Sequence, residues 1–224
     1  MAETPSIRLV SLRCPRCADE IGIGAYDRAY VCRRCLSLWE EEAGSLIEKK
    51  MSWIKRGEGC FCYVPFWSFR MEAETPVGRI DDFHAYCGRI AFPELLEVKE
   101  NRPLGLFVLA AMLSVERYRL SVSRRLTYAQ PRFEAGTAQQ GRIWGPCVDE
   151  QRARNYARII FISTLSEAYK GSPEFVRGLT IVLTRPRLLY VPFVERRNDF
   201  RDVTELITIS KKLLPPDPAD LRPW

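Results

Sequence analysis

The sequence predicts an α+β protein in which a small N-terminal unit with paired cysteines precedes a mixed sheet with two or three helices. Three observations predict this class. Two Cys-x2-Cys pairs lie near the N-terminus, aromatic and β-branched segments recur along the chain, and a stretch after residue 149 has the spacing of an amphipathic helix. We expect residues 1–56 to form the N-terminal unit, 57–214 the body and 215–224 a proline-rich tail.

The two cysteine pairs have the spacing of metal ligands. Cys14 pairs with Cys17 and Cys32 with Cys35, and fourteen residues, enough for a short hairpin, separate the pairs. A two-residue spacer lets the chain fold into a knuckle that directs both sulfurs at one ion. Two knuckles therefore supply the four thiolates of a closed tetrahedral site.

This region, from residue 7 to about residue 50, resembles a zinc ribbon of the rubredoxin-like four-cysteine type. The resemblance implies one structural zinc ion, and a ribbon of this size folds only with its metal. Iron, or a redox role for the cysteine pairs, is the alternative. The sequence departs from the common ribbon pattern at Ala18 and Leu36, which follow the two pairs where ribbons often have glycine.

A Tyr-Val-Pro-Phe motif occurs twice in the body, at 63–66 and at 190–193. Its composition predicts two strands, with each proline at a sheet edge or a bulge. The strands pair with each other or occupy equivalent places in two related units, unless the repeat is only a favourable edge-strand sequence used twice. The body resembles bacterial zinc-ribbon proteins with repeated Tyr-x-Pro-Phe strands, with a weaker third match at 126–131. That resemblance implies an architecture and no chemistry.

Helices are predicted from apolar spacing. The clearest runs from a cap at Asp149 to about residue 169, with Gly171 ending it. A second helix is predicted over 107–126 and a short third over 94–101. Residues 179–183 and 188–194 read as consecutive strands, and 203–214 fits a helix or a strand equally well.

A second metal site is conceivable, because three further sulfurs and the single imidazole form a legal zinc ligand set. Two of these cysteines alternate along a predicted strand and would face opposite ways unless the chain bends between them. The alternative is that the cysteines belong to the core and that the histidine lies at the surface. The four candidate ligands are Cys60, Cys62, His84 and Cys87.

The composition and the motifs give no catalytic site. The 224 residues are 46% hydrophobic and 28% charged, as in a folded globular chain, and their one histidine excludes a histidine-built catalytic metal centre. No phosphate loop or nucleophile–base pattern is present. Cys147 precedes the predicted helix at 149, where a thiol can be activated, but an ordinary buried thiol is favoured.

The lack of a recognisable targeting segment favours a cytoplasmic protein. The first residues do not have the pattern of a signal peptide, and the longest apolar run, about ten residues, is too short to cross a membrane. Association with the surface of a membrane complex stays open. In the cytoplasm the eight cysteines should be reduced thiols or metal ligands and not disulfides.

Two functions remain. The first is a non-catalytic interaction protein, a subunit or assembly factor of a larger complex, that presents four tryptophans (Trp53, Trp67, Trp144 and Trp224) and proline-marked sheet edges to a protein partner. The alternative is a nucleic-acid-binding protein, because the net charge is +6 and arginines cluster along the chain, although acidic residues follow the second knuckle at once. The candidate contact residues for either partner are Arg33, Arg34, Arg124, Arg125, Arg196 and Arg197. Two further arginine clusters, Arg117 with Arg119 and Arg185 with Arg187, are not among these candidates.

Overall fold

The computed structural model describes residues 13–22, 26–57, 59, 61–90, 102–137, 141–214 and 221–223. It confirms the α+β class, with a three-stranded sheet beside the paired cysteines and a ten-stranded mixed sheet with helices in the body. Cys60, Trp224 and the helix predicted for 94–101 lie outside the described residues.

The described part of the N-terminal unit up to residue 49, called the ribbon below, contains an antiparallel sheet of β1 (Ala29–Val31), β2 (Leu38–Glu42) and β3 (Ser45–Lys49). Ala43 and Gly44 both have positive φ, 51° and 85°, so they form the tight turn that joins β2 to β3 with the correct twist. The next strand, β4 (Met51–Ile54), was assigned to the N-terminal unit by sequence but pairs with the large sheet.

Two long strands form the centre of the large sheet. β5 (Phe61–Thr75) and β10 (Thr180–Glu195) run antiparallel and pair over thirteen registered positions. The predicted strands at 179–183 and 188–194 are therefore one strand, interrupted only by a bulge between Thr184 and Arg187. The other strands are β6 (Gly78–Ile80), β7 (Leu104–Leu109), β8 (Ala135–Gly136), β9 (Arg142–Trp144), β11 (Asp199–Asp202), β12 (Thr208–Ser210) and β13 (Leu221–Pro223).

The two Tyr-Val-Pro-Phe segments pair with each other, with Val64 directly opposite Val191. They lie in the two central strands, so the expectation of prolines at sheet edges is wrong. Each proline instead lies where the outer partner of its strand changes. Pro65 falls between the stretch of β5 that pairs with β9 and the stretch that pairs with β7, and Pro192 falls between the β4 and β11 pairings of β10.

This placement explains how a central strand tolerates proline. The N–H and C=O of one residue point to the same side of a strand. The Pro65 carbonyl accepts from Ala110 N at 2.8 Å and the Pro192 carbonyl from Val203 N at 3.2 Å, both beyond the regular pairing of the outer strands. The missing N–H groups thus face gaps in the ladder.

Each central strand has a parallel partner before its proline and an antiparallel partner after it, so the two Tyr-Val-Pro-Phe segments occupy equivalent places in the sheet.

The strongest helix prediction is confirmed from its Asp149 cap to Thr164, but the helix ends there and not near residue 169. The second prediction is confirmed only from residue 116 onward. α3 (Glu150–Thr164) begins after Asp149, whose side chain accepts from Arg152 N. The helix predicted over 107–126 is instead β7 followed by α2 (Glu116–Ala129), because the apolar run of β7 is buried within the sheet. Residues 126–131, the weaker third match to the Tyr-x-Pro-Phe strand pattern, fall largely in α2 and not in a strand. Three short helices complete the described set: α1 (Phe83–Cys87), α4 (Glu167–Lys170) and α5 (Pro173–Arg177).

The C-terminal region holds two short elements. Residues 203–214, which fitted a helix or a strand, contain β12 and then a 3-10 turn over Lys211–Leu213. Among the described residues, no helix is both long and apolar enough to cross a membrane.

The central sheet separates two buried clusters. Along β5, Tyr63, Trp67 and Phe69 face the first cluster, whereas Val64 and Phe66 face the second, as the two-residue period of a strand requires. α3 packs on the first cluster. Trp53, Trp67 and Trp144 are all buried, so the expectation that these tryptophans are exposed to a partner is wrong.

Candidate metal centre

Each cysteine pair forms a tight knuckle. Ala18 N donates to Cys14 O at 2.8 Å, and Leu36 N donates to Cys32 O at 2.9 Å. Closing these turns puts Ala18 at φ 59° and Leu36 at φ 57°. This is the left-handed region that glycine enters without strain, which explains why ribbons often have glycine at these two positions.

The knuckles bring the four sulfurs together. Cys14 and Cys35 Sγ are 3.5 Å apart, Cys17 and Cys32 Sγ are also 3.5 Å apart, and all four ligand atoms lie within 4.8 Å of one another. None of these cysteines forms a disulfide. Four converging sulfurs can hold one metal ion in tetrahedral coordination, so the predicted ligand set is brought together as expected.

Ser37 orients the sulfur cluster from outside. Its hydroxyl oxygen lies 3.0 Å from Cys35 Sγ and 3.4 Å from Cys14 Sγ, and it accepts from Trp39 Nε1 at 2.7 Å. Because the indole N–H donates a hydrogen bond to the Ser37 oxygen, the Ser37 hydroxyl hydrogen is free to point at a thiolate. No motif in the sequence marks this pair, although Ser37 and Trp39 closely follow the second knuckle.

The cysteines do not ionise equally without a cation. Burial opposes ionisation of Cys14, but hydrogen bonds from Ser37 and from nearby backbone amides lower the pKa of its thiol to about 6. Burial raises the pKa of Cys32 to about 12 despite backbone hydrogen bonds. Four thiolates therefore require the positive charge of a metal ion among them, and metal binding releases protons from the group.

The ribbon is packed against the body. Ala29 and Leu38 are fully buried in the first core cluster, and the amides of Arg28 and Ala29 donate to Pro146 O at 2.8 and 3.3 Å. A metal ion held by the four cysteines would thus stabilise a unit whose inner face completes the core of the body. The apolar side chains Tyr26 and Ile47 of the ribbon are exposed, 52% and 41% respectively.

A buried charge cluster joins the ribbon to α3. Glu40 is 4% exposed, and its Oε1 accepts from Glu150 N, the first residue of α3, at 2.9 Å. Lys49 Nζ lies 2.5 Å from Glu42, 3.3 Å from Glu150 and 3.7 Å from Glu40. Burial raises the pKa of Glu40 to about 7 in spite of Lys49 and the α3 amide. No local pattern reveals this cluster, because Glu40 and Glu150 are 110 positions apart.

A close backbone approach completes the joint. A Cβ added to Gly145 would lie 1.8 Å from Asp27 Oδ1 and 2.7 Å from Asp27 Cγ. Only glycine therefore leaves room for the Asp27 carboxyl group at this point of the body, which fixes where the loop before β1 can dock.

The second candidate metal set is not brought together among the described residues. Cys62 belongs to the second core cluster and Cys87 to the first, so they lie on opposite faces of the sheet. His84 is exposed on α1, and Cys60 lies outside the described residues. Within the described part of the chain, the only group of three or more metal-ligating residues is the four-cysteine cluster.

Cys147 is held as a structural thiol. Its Sγ donates to Ala110 O at 3.0 Å and lies 3.5 Å from Nη2 of Arg119, which is buried and donates Nη1 to Leu109 O at 2.5 Å and Nε to Glu116 at 2.7 Å. Burial raises the pKa of the Cys147 thiol and outweighs the attraction to the Arg119 guanidinium. The geometry thus favours a thiol over a nucleophilic thiolate at neutral pH.

The predicted contact arginines are exposed but scattered over three elements. Arg33 and Arg34 lie in the second knuckle, and Arg124 and Arg125 lie on α2. Arg196 and Arg197 lie in the turn between β10 and β11. Comparisons with known proteins add no assignment, because no family, curated protein or solved structure matches this chain.

Proposed function

We propose that the protein is a non-catalytic, zinc-stabilised interaction protein that serves as a subunit or assembly factor of a larger cytoplasmic complex. The observation that carries this proposal is the closed group of four cysteines packed against the body. Four thiolates suit Zn²⁺, and they fill its tetrahedral shell, so no coordination position is left for a substrate. The ion then acts only by holding the ribbon on the core.

The protein partner would contact the ribbon and not the tryptophans or proline segments first considered. Trp53, Trp67, Trp144 and the two proline segments are buried, whereas Tyr26 and Ile47 present apolar surface on the ribbon itself. Such a surface becomes available only when the metal has folded the ribbon. Partner binding would therefore depend on the metal through shape alone.

The test is metal analysis combined with affinity purification of the full chain. We expect one Zn per chain, no visible absorption from iron, and stable co-purification of a protein partner that is lost in Tyr26→Ser/Ile47→Ser. A matched control is Val77→Ser/Val182→Ser, which removes two exposed apolar side chains from the body. Iron at the site would contradict the assignment of zinc, and a monomer without a partner would contradict the interaction role.

A second candidate function, nucleic-acid binding, is favoured by one observation. Three exposed cations, Lys50, Arg185 and Arg187, line adjoining cavities beside the ribbon. Arg185 and Arg187 form one of the arginine clusters visible in the sequence, but they are not among the predicted contact residues.

A further inference from the structure

We propose that a groove between the ribbon and the bulge of β10 binds a single-stranded nucleic acid. This bulge groove consists of three adjoining cavities of about 510, 520 and 340 Å³, and Arg187 lines all three. The inference deepens the second candidate function and does not depend on which metal the ribbon holds.

The groove starts at the first knuckle and ends beside α2. Arg16 and Ser37 of the ribbon line one end, and Lys50 and Ser52 line the middle where the chain passes from β3 to β4. The far end is lined by Phe133 and other residues that follow α2 or belong to β5 and β7. A linear ligand can therefore contact both the ribbon and the large sheet.

The bulge directs the two central cations into the groove. Thr184 pairs with Arg70 and Arg187 with Ser68, so two residues of β10 oppose one residue of β5. Arg185 is one of the two and has φ 52°, a left-handed conformation that glycine usually supplies at such a bulge. The side chains of Arg185 and Arg187 are both exposed at this bulge, beside the groove.

The charge of the groove is mainly positive. Within the described residues, Lys50, Arg185 and Arg187 have no carboxylate partner, so their charges are available to a ligand. Lys49 and Glu150 also line the groove, but both are engaged in the buried cluster, where Lys49 contacts three carboxylates and Glu150 also contacts Arg154 at 2.6 Å. Glu48 is the remaining carboxylate, and it contacts Arg16 at 3.5 Å between two exposed side chains.

The far end of the groove has the aromatic surface that a base requires. Phe133 is half-buried, and its ring packs edge-on against Phe107 with centroids 6.0 Å apart. Arg185 and Arg187 line the same cavity as both rings. Cations along a groove combined with an accessible aromatic ring are typical of single-strand binding, because bases in a duplex cannot stack on protein. An acidic peptide would use the cations but not the ring.

The experiment measures binding of a fluorescent oligothymidylate of about 15 nucleotides to the full metal-loaded chain, by anisotropy at about 50 and about 200 mM salt. The test variant is Arg185→Gly/Arg187→Gln, in which glycine also relieves the strained backbone, so folding should be retained or improved. The control is Arg124→Gln/Arg125→Gln, which removes the same charge from exposed positions on α2.

We expect the groove variant to bind about tenfold more weakly and the α2 control to bind like the parent. The slope of log affinity against log salt should fall by about 1.4 in the groove variant, since two lost phosphate contacts contribute about 0.7 each. Phe133→Leu should weaken binding and Phe133→Tyr should retain it, because only the aromatic ring stacks. Lys50→Gln provides an independent cation variant outside the bulge.

Several results would overturn the proposal: no binding at the lower salt, equal losses in the groove and α2 variants, tighter binding of the matching duplex, or displacement of the probe by an equal charge of polyglutamate. Metal content and partner co-purification are measured on the same variants. Their retention in a groove variant that no longer binds nucleic acid separates this inference from the interaction role proposed above.

Discussion

The ribbon and the central strand pair are stabilised in different ways. The ribbon has a small core of its own, in which Ile21 and Trp39 are the buried apolar residues beside Cys14 and Cys32, so a metal ion held by the four sulfurs would supply much of its stability. β5 and β10 instead bury large aromatic side chains on both faces, and their paired residues are more than a hundred positions apart. The ribbon is therefore organised by local cysteine spacing, and the central strand pair by long-range packing.

Removal of a metal ligand should separate the two regions most strongly. Cys32→Ser leaves a buried hydroxyl where a thiolate is needed, so we expect loss of the metal and unfolding of residues 13–49. The body should keep its helices but melt at a lower temperature, because Ala29 and Leu38 no longer cover the first core cluster. Circular dichroism with metal analysis measures both effects.

Cys87→Ser is the matched control, since this buried cysteine lies in the body and outside the cluster. It should retain the full metal content. An unchanged spectrum for Cys32→Ser would contradict the dependence of the ribbon on its metal.

The joint between the regions is tested by Gly145→Ala. A methyl group at this position would overlap the Asp27 carboxyl group, so the Asp27 side chain or the loop before β1 must shift. We expect a loss of about 1 to 3 kcal/mol in the free energy of unfolding, as for other overpacked sites. Gly88→Ala is the control, because its added Cβ would come no closer than 3.9 Å to another atom. Equal effects of the two substitutions in denaturant unfolding would mean that Asp27 is not held at Gly145.

The buried charge at the same joint predicts a pH dependence. Burial raises the pKa of Glu40 from 4.5 to about 7, so the folded chain binds a proton there that the unfolded chain releases. Between about pH 5 and 7 the folded chain still binds this proton whereas the unfolded chain has released it, so the stability falls as the pH rises. Glu40→Gln keeps the acceptor for the α3 amide without the charge. Its stability relative to the parent should therefore rise by roughly 1 to 2 kcal/mol over this pH range.

Glu42→Gln removes a carboxylate that contacts the same lysine but is 52% exposed, and it should show little of this trend. Unfolding free energies at several pH values make the measurement. A difference between Glu40→Gln and the parent that stays constant with pH would mean that Glu40 is ionised throughout.

The same contrast explains what could be predicted from sequence. The four metal ligands and the Asp149 cap were predictable, because both depend on residues a few positions apart. The sequence predicts a helix where β7 forms, since a continuous apolar run has no period that distinguishes a helix from a strand. The sequence also predicts a sheet edge at Pro65. The proline is instead accommodated where the outer partner of β5 changes from β9 to β7, and this change arises only when distant strands assemble. The bulge at Arg185 likewise exists only through its pairing with β5.

The smallest effect is expected inside the ribbon, at Ala18. This residue is exposed and has φ 59°, so its Cβ imposes a left-handed penalty of about 1 kcal/mol or more that glycine avoids. Glycine also has a more flexible unfolded chain, which offsets part of the gain. We therefore expect Ala18→Gly to raise the stability of the metal-loaded ribbon by about 0.5 kcal/mol and to slow metal loss to a competing chelator.

Leu36→Gly relieves the same strain in the second knuckle but removes a side chain that packs against the first core cluster, so it should destabilise the protein. The opposite signs of the two substitutions would show that one knuckle serves only the metal, while the other also serves the contact with the body. Faster metal loss from Ala18→Gly than from the parent would mean that its backbone is not strained in the loaded ribbon.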